Sequence, residues 1–184
     1  IYRGLAKQAG LSIDVEGQLF DMLQRKAVTE INTLLDSLDI DDSIKNMLAG
    51  LSSLNGGRSV FARSRELLAD ADDSVKKAID YLEKTAELMW QRYGDIKVHF
   101  DLSELHGYHY KTGVVFAAFV PQLGQAIARG GRYDDIGKIF GRARAATGFS
   151  TDLKVLNQLS NKQFASAERI FAPADEAPDL KEKI

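Results

Sequence analysis

Residues 108–153 gather the side chains that could do chemistry. Tyr108, His109, Tyr110 and Lys111 open the stretch, a Gly-Gly-Arg-Tyr-Asp turn occupies 130–134, and more glycines and arginines follow. The cations Arg129, Arg132, Lys138, Arg142 and Arg144 stand against Asp134 and Asp135, and Gly130, Gly131, Gly137 and Gly141 let backbone approach a ligand closely. Such a cluster suits an anion, a carboxylate or a phosphate. Its spacing is neither a P-loop nor a dinucleotide fingerprint, and a solvated arginine loop fits the same pattern. No nucleophile with its own base is visible. Alternation along a strand turns His109 away from Tyr108 and Tyr110. His99, His106 and His109 are the only histidines, and their spacing matches no metal motif.

Two kinds of element must position these groups. Residues 1–93 read as helices. Ser12 can cap a helix carrying Ile13, Leu19, Phe20 and Leu23 on one face. Val28, Ile31, Leu34, Leu35 and Leu38 recur at helical spacing, and Asp41 and Asp42 favour the start of a third helix. A long helix follows, with Val75, Ile79, Leu82, Ala86, Met89 and Trp90 as its stripe and Gly94 as its stop. Met89 and Trp90 read as core.

After Gly94 the apolar period falls to two. Strands are expected at 96–102, with Ile96, Val98 and Phe100 inward and His99 outward, at 112–120, buried on both faces, and at 125–129. A short helix or turn is expected in "YDDIGKIFGR". A helix capped by Ser150 or Thr151 should carry Leu153, Leu156 and Leu159 on one face, and a short strand should follow in "ERIFAPADEAPD". Strand, strand, strand, helix with short connections predicts an α+β fold with an antiparallel sheet, not βαβ units. The expected organisation is a helical part, 1–93, and a sheet part, 94–184, of one domain. Both ends read as cut from a longer chain: it starts at Ile1 inside an amphipathic pattern and stops at "DLKEKI".

Composition narrows the function classes. With 45% hydrophobic and 27% charged residues the chain is of ordinary globular type. A net charge of -2 argues against nucleic acid as main partner, because phosphate neutralisation needs a cationic excess. No apolar run approaches the roughly 20 residues that span a bilayer, so no membrane role is expected. The absence of cysteine removes disulfides and thiolate metal sites and fits a cytoplasmic setting.

The words "YHYKTGVVFAAF", "ARGGRYDDIGKIFGRARAATGFSTDL" and "IYRGLAKQAGLS…LFDMLQRK" together resemble one family: the regulatory subunits of short-form ATP phosphoribosyltransferase, paralogues of the histidyl-tRNA synthetase catalytic domain. The resemblance covers nearly the whole chain and implies the second half of a class II aminoacyl-tRNA synthetase-like fold. Set against the synthetase words, His106 stands where an activating arginine is carried, Lys111 where a second tyrosine is, and Ala117 where a glutamate is. Val155 stands where the third class II motif carries its ATP-binding arginine. Losing one such donor costs about 2.7–4 kcal/mol of transition-state stabilisation. The resemblance therefore implies no catalysis and no cofactor in this chain, and the histidine spacing predicts no metal. It implies a surviving ligand pocket for free histidine at Tyr110, Lys111, Gly130, Gly131 and Tyr133. It also implies a hetero-oligomer with the catalytic subunit, which makes phosphoribosyl-ATP in the first step of histidine biosynthesis and is feedback-inhibited by histidine. A divergent histidyl-tRNA synthetase fragment is the enzyme alternative, and a class II-like module binding tRNA or another regulator is a third.

Overall fold

A computed structural model describes residues 1–94, 96–105, 111–135, 137–138, 141–160 and 162. The chain divides into two compact units, Ile1–Ser150 and Thr151–Ile184. Six helices open the first: α1 (Tyr2–Gln8), α2 (Ile13–Arg25), α3 (Val28–Asp36), α4 (Asp42–Gly50), α5 (Ser59–Leu67) and α6 (Asp73–Tyr93). In the second unit the described helix is α7 (Leu153–Leu159).

Local chemistry sets the helix ends. Ser12 accepts from the Val15 N–H at 3.4 Å, and Asp14 and Glu16 sit in the first turn of α2, where negative charge is favoured. That helix stops at Lys26, whose φ of 53° is left-handed, a conformation ordinarily left to glycine. Asp41 caps α4 by accepting from the Ser43 N–H at 2.8 Å. Gly94, at φ 70°, ends α6.

Packing follows the apolar stripes. Leu19, Leu23, Ile31, Leu35, Met47 and Leu48 are fully buried between α2, α3 and α4. Val75, Ile79 and Ala86 bury one face of α6. Two glycines permit close helix crossings: a Cβ on Gly4 would lie 2.5 Å from Val75 of α6, and one on Gly50 the same distance from Leu67 of α5. Trp90 packs against the core as expected. Its ring meets Phe100 edge-on at 5.9 Å, Arg58 covers it at 3.9 Å, and its Nε1 donates to the Ile96 carbonyl.

The strands are β1 (Asn55–Gly56), β2 (Phe100–Asp101), β3 (Val115–Ala118), β4 (Ala128–Arg132) and β5 (Thr147–Thr151). They form a β1–β2 pair and a three-stranded sheet in the order β3-β4-β5. β3 and β4 run antiparallel, as expected.

Four expectations need correction. The 96–102 strand shrinks to Phe100–Asp101 and pairs with β1, not β3. Phe100 is drawn into the helical core by Phe61 and Trp90, while Ile96 stays exposed, so tertiary packing overrides alternation. The 112–120 strand is an edge among the described strands, not central, and Phe116 and Phe119 are exposed. β4 runs on through its glycines to Arg132 because Phe116 and Phe149 pack over Gly130. Finally, Ser150 and Thr151 lie in β5, and Asp152 caps α7 instead, accepting from the Lys154 N–H at 2.8 Å. The same shift leaves Leu153 exposed, as Ile13 is at the start of α2. The strand expected in "ERIFAPADEAPD" lies outside the described residues.

Candidate functional site

The Gly130–Tyr133 turn is built by β4 between its two neighbours. The register pairs Val115 with Gly131, Phe116 with Gly130 and Ala117 with Arg129. Successive residues face opposite sides of a sheet, so Gly130 and Gly131 do not look the same way. On the Gly130 side a Cβ would lie 2.5 Å from both the Phe116 ring and the Gly148 carbonyl oxygen, and 2.7 Å from the Phe149 Cβ. That side is filled by aromatic carbon. On the Gly131 side the nearest side-chain atoms are Cδ of Lys111, at 3.2 Å, and Cγ1 of Val115, at 3.3 Å. The apolar stem of Lys111 therefore lies across Gly131.

Tyr133 joins the Lys111 side. Phe149 shares the Gly130 face, which turns Gly148 to the other, and the Tyr133 ring lies 3.9 Å from where a Gly148 Cβ would be. Its N–H donates to the Ala146 carbonyl at 2.7 Å, fixing it against β5. Lys111, Gly131 and Tyr133 are thus brought to one face, and Gly130 contributes backbone beneath it. Tyr110, His106 and His109 lie outside the described residues.

Arg132 turns to the opposite side and is already engaged. Its Nε donates to both Asp134 carboxylate oxygens, at 2.8 and 2.9 Å, and its Nη1 to the Tyr81 hydroxyl of α6 at 3.2 Å. The Asp134 N–H in turn donates to Thr112 Oγ1 at 2.9 Å. The Arg132 stem passes Gly113, where a Cβ would lie only 3.0 Å from its Cδ, so the glycine of "KTG" clears its path. Hydrogen bonds to Asp134 and then Tyr81 hold the guanidinium pKa above its ordinary value, and the bond from Arg132 holds the Asp134 carboxyl below its own. Arg132 ties the turn to α6. Lys138 pairs with Asp135 at 2.7 Å. Arg129, two residues before Gly131, shares the face of Gly131 and is exposed opposite the small side chain of Ala117.

A second polar cluster sits where α2 ends. Lys26 bonds the Asp101 carboxylate, and the buried Ser103 hydroxyl donates to Asp101 at 2.8 Å. Burial raises the Asp101 pKa, but the hydrogen bonds from Lys26 and Ser103 outweigh it and leave the carboxyl below its ordinary value. A cavity of about 350 Å³ opens here, lined by Leu23, Lys26, Asp101, Ser103 and Glu104 among others. It shares no residue with the Gly130–Tyr133 turn, and its charges serve each other. Among the described residues no three His, Cys, Asp or Glu side chains come together to hold a metal. No described helix is long and apolar enough to cross a membrane.

Residues 1–156 match the family pattern of histidyl-tRNA synthetase, and the chain belongs to that family. Within it, curated relatives 53–58% identical to this chain carry one description. An ATP phosphoribosyltransferase regulatory subunit of Thioalkalivibrio sulfidiphilus is 54% identical over 100% of this chain and 47% of its own length. One of Pseudomonas entomophila is 58% identical over 89% of this chain and 41% of its own. A crystal structure described as an ATP phosphoribosyltransferase regulatory subunit/histidyl-tRNA synthetase from Bacillus halodurans superposes with a TM-score of 0.73. It is 28% identical and covers 88% of this chain and 42% of that one. A histidine–tRNA ligase subunit of Alicyclobacillus acidocaldarius gives 0.60 at 27% identity, over 85% of this chain and 51% of its own. The chain spans about half or less of the length of these proteins. The α+β, synthetase-like fold class expected from sequence is borne out.

The turn was legible in the sequence, but its two faces were not. The division between Arg129 and Arg132 was legible in principle, since alternation separates positions three apart, but only if β4 was known to run through Gly130 and Gly131. The Tyr81–Arg132 bond, 51 residues apart, leaves no local signal.

Proposed function

We propose that this chain is part of the non-catalytic regulatory subunit of ATP phosphoribosyltransferase, acting with a short catalytic subunit in the first step of histidine biosynthesis. The observation that carries this reading is the uniform naming of relatives 53–58% identical over most of the chain. The helical and sheet parts are two portions of one synthetase-like domain, and the protein acts in the cytoplasm as a hetero-oligomer.

Two side chains outside the turn support a binding role without adenylate formation. At two positions where synthetases carry charge, Ala117 and Val155 offer neither a charge nor a hydrogen bond beyond the main chain. Free histidine is the ligand proposed for the face of Lys111, Gly131 and Tyr133, with Gly130 as its floor; Tyr110, the remaining residue of the expected pocket, lies outside the described residues. Tyr133 offers a ring face and a hydroxyl to an imidazole. Histidine there inhibits only if it favours one arrangement of the complex over the other, since equal affinity shifts nothing.

The test combines three measurements on the complete subunit. It should co-purify with the short catalytic subunit and raise its activity. It should not support histidine-dependent exchange of pyrophosphate into ATP. Tyr133→Ala should weaken histidine binding by calorimetry and feedback inhibition together. Exchange above background would favour a divergent synthetase, and unchanged binding in Tyr133→Ala would refute the pocket while leaving the subunit assignment in place.

A further inference from the structure

The geometry points to Arg129 as the residue that selects a carboxylate-bearing ligand at this site, a role that rests on the histidine-binding reading above. The nearby cations separate by what already holds them. Arg132 faces the other side of β4, bonded to Asp134 and Tyr81. Lys138 is paired with Asp135. Arg129 pairs by register with Ala117, so its cross-strand neighbour offers no carboxylate and little bulk.

Position does the rest. Arg129 and Gly131 alternate within β4 and share one face, and Tyr133, just past the strand's end, brings its ring to that side, 3.9 Å from where a Gly148 Cβ would be. Arg129 and Gly131 are two residues apart, about 7 Å along an extended chain, a span that a guanidinium can reach across. An amino acid whose ring lies against Tyr133, over the Lys111 stem that covers Gly131, directs its carboxylate back along β4 toward Arg129. The planar guanidinium matches a carboxylate with two parallel N–H bonds. Because Arg129 is exposed, its replacement leaves no orphaned buried partner.

The experiment is calorimetric titration of the complete subunit, alone and with its catalytic partner, using L-histidine and L-histidinol, which lacks the carboxylate. The unaltered protein should bind histidine more tightly than histidinol. Arg129→Met should lose about tenfold for histidine, the scale of one hydrogen bond between charged groups, and little for histidinol. Arg129→Lys should recover part of the loss, since charge survives and the fork does not. Arg132→Lys serves as the contrast and should keep the preference for histidine over histidinol. If Arg129→Met weakens both ligands equally, or neither, the inference fails while the histidine-binding reading stands. If the unaltered subunit binds no histidine in either state, both fall together.

Discussion

Leu48 in α4 and Phe149 in β5 are both large apolar side chains, yet Leu48 is fully buried and Phe149 is 69% exposed. The contrast runs through their whole regions. Every buried hydrophobic side chain among the described residues lies between Tyr2 and Leu105. Beyond Leu105, among the described residues, only Gly130 and Gly131 are buried. The helices close a core on themselves because stripes on α2, α3 and α4 pack in sequence while α6 packs on α1 and α5. Three short strands have no such partner within the described residues, and Phe116, Phe119 and Phe149 stand open. A helical layer that is complete can hold a sheet whose own order depends on backbone pairing and a few long-range bonds. The Arg132–Tyr81 bond is one of these.

The sharpest way to break this comparison is a pair of substitutions in the 184-residue chain. Leu48→Ala should cost about 2–5 kcal/mol in urea unfolding, as deletion from a closed core does. Phe149→Ala should stay within about 0.5 kcal/mol, as surface changes do. Equal losses would mean that Phe149 belongs to a core after all.

Gly130→Ala probes the sheet itself. The added Cβ meets the Gly148 carbonyl oxygen at 2.5 Å, and backbone cannot swing aside as the Phe116 ring can. A loss of about 1–3 kcal/mol is expected. It should appear as faster hydrogen exchange at the Ile127 and Arg132 amides, which bond β3 residue Ala118 and Val114 beside it, with helix amides unaffected. Uniform loosening of the helices would show that the two regions unfold as one.

The smallest effect lies inside the helical region, where α2 ends beside β2. Asp101→Asn should cost about 1 kcal/mol at neutral pH, since its ion pair with Lys26 is partly exposed. The sign follows from the depressed carboxyl pKa. The stabilisation is fully present above the unfolded value, about 3.9, and fades as pH falls through the lower folded value. The difference between the two proteins should therefore vanish in acid. A difference that persists at pH 2 would assign the effect to shape, not charge.

What the sequence determined by itself is whatever depends on near neighbours. Ser12, Asp41 and Gly94 mark helix ends because capping needs only three or four residues. The Val75–Ile79–Ala86 stripe declares a buried face because helical periodicity is local. The Gly-Gly-Arg-Tyr-Asp turn, with the words around it, was legible as a resemblance. The tertiary structure alone decided where those words point. Phe100 left the expected sheet because Phe61 and Trp90 offered it a drier place. β4 ran on through two glycines because Phe116 and Phe149 packed against the first and Lys111 against the second. Arg132 was drawn to Tyr81, 51 residues away, while Arg129 stayed exposed. Each outcome rests on contacts between residues far apart in the chain, whose energies depend on distance in space and leave no periodic trace along it.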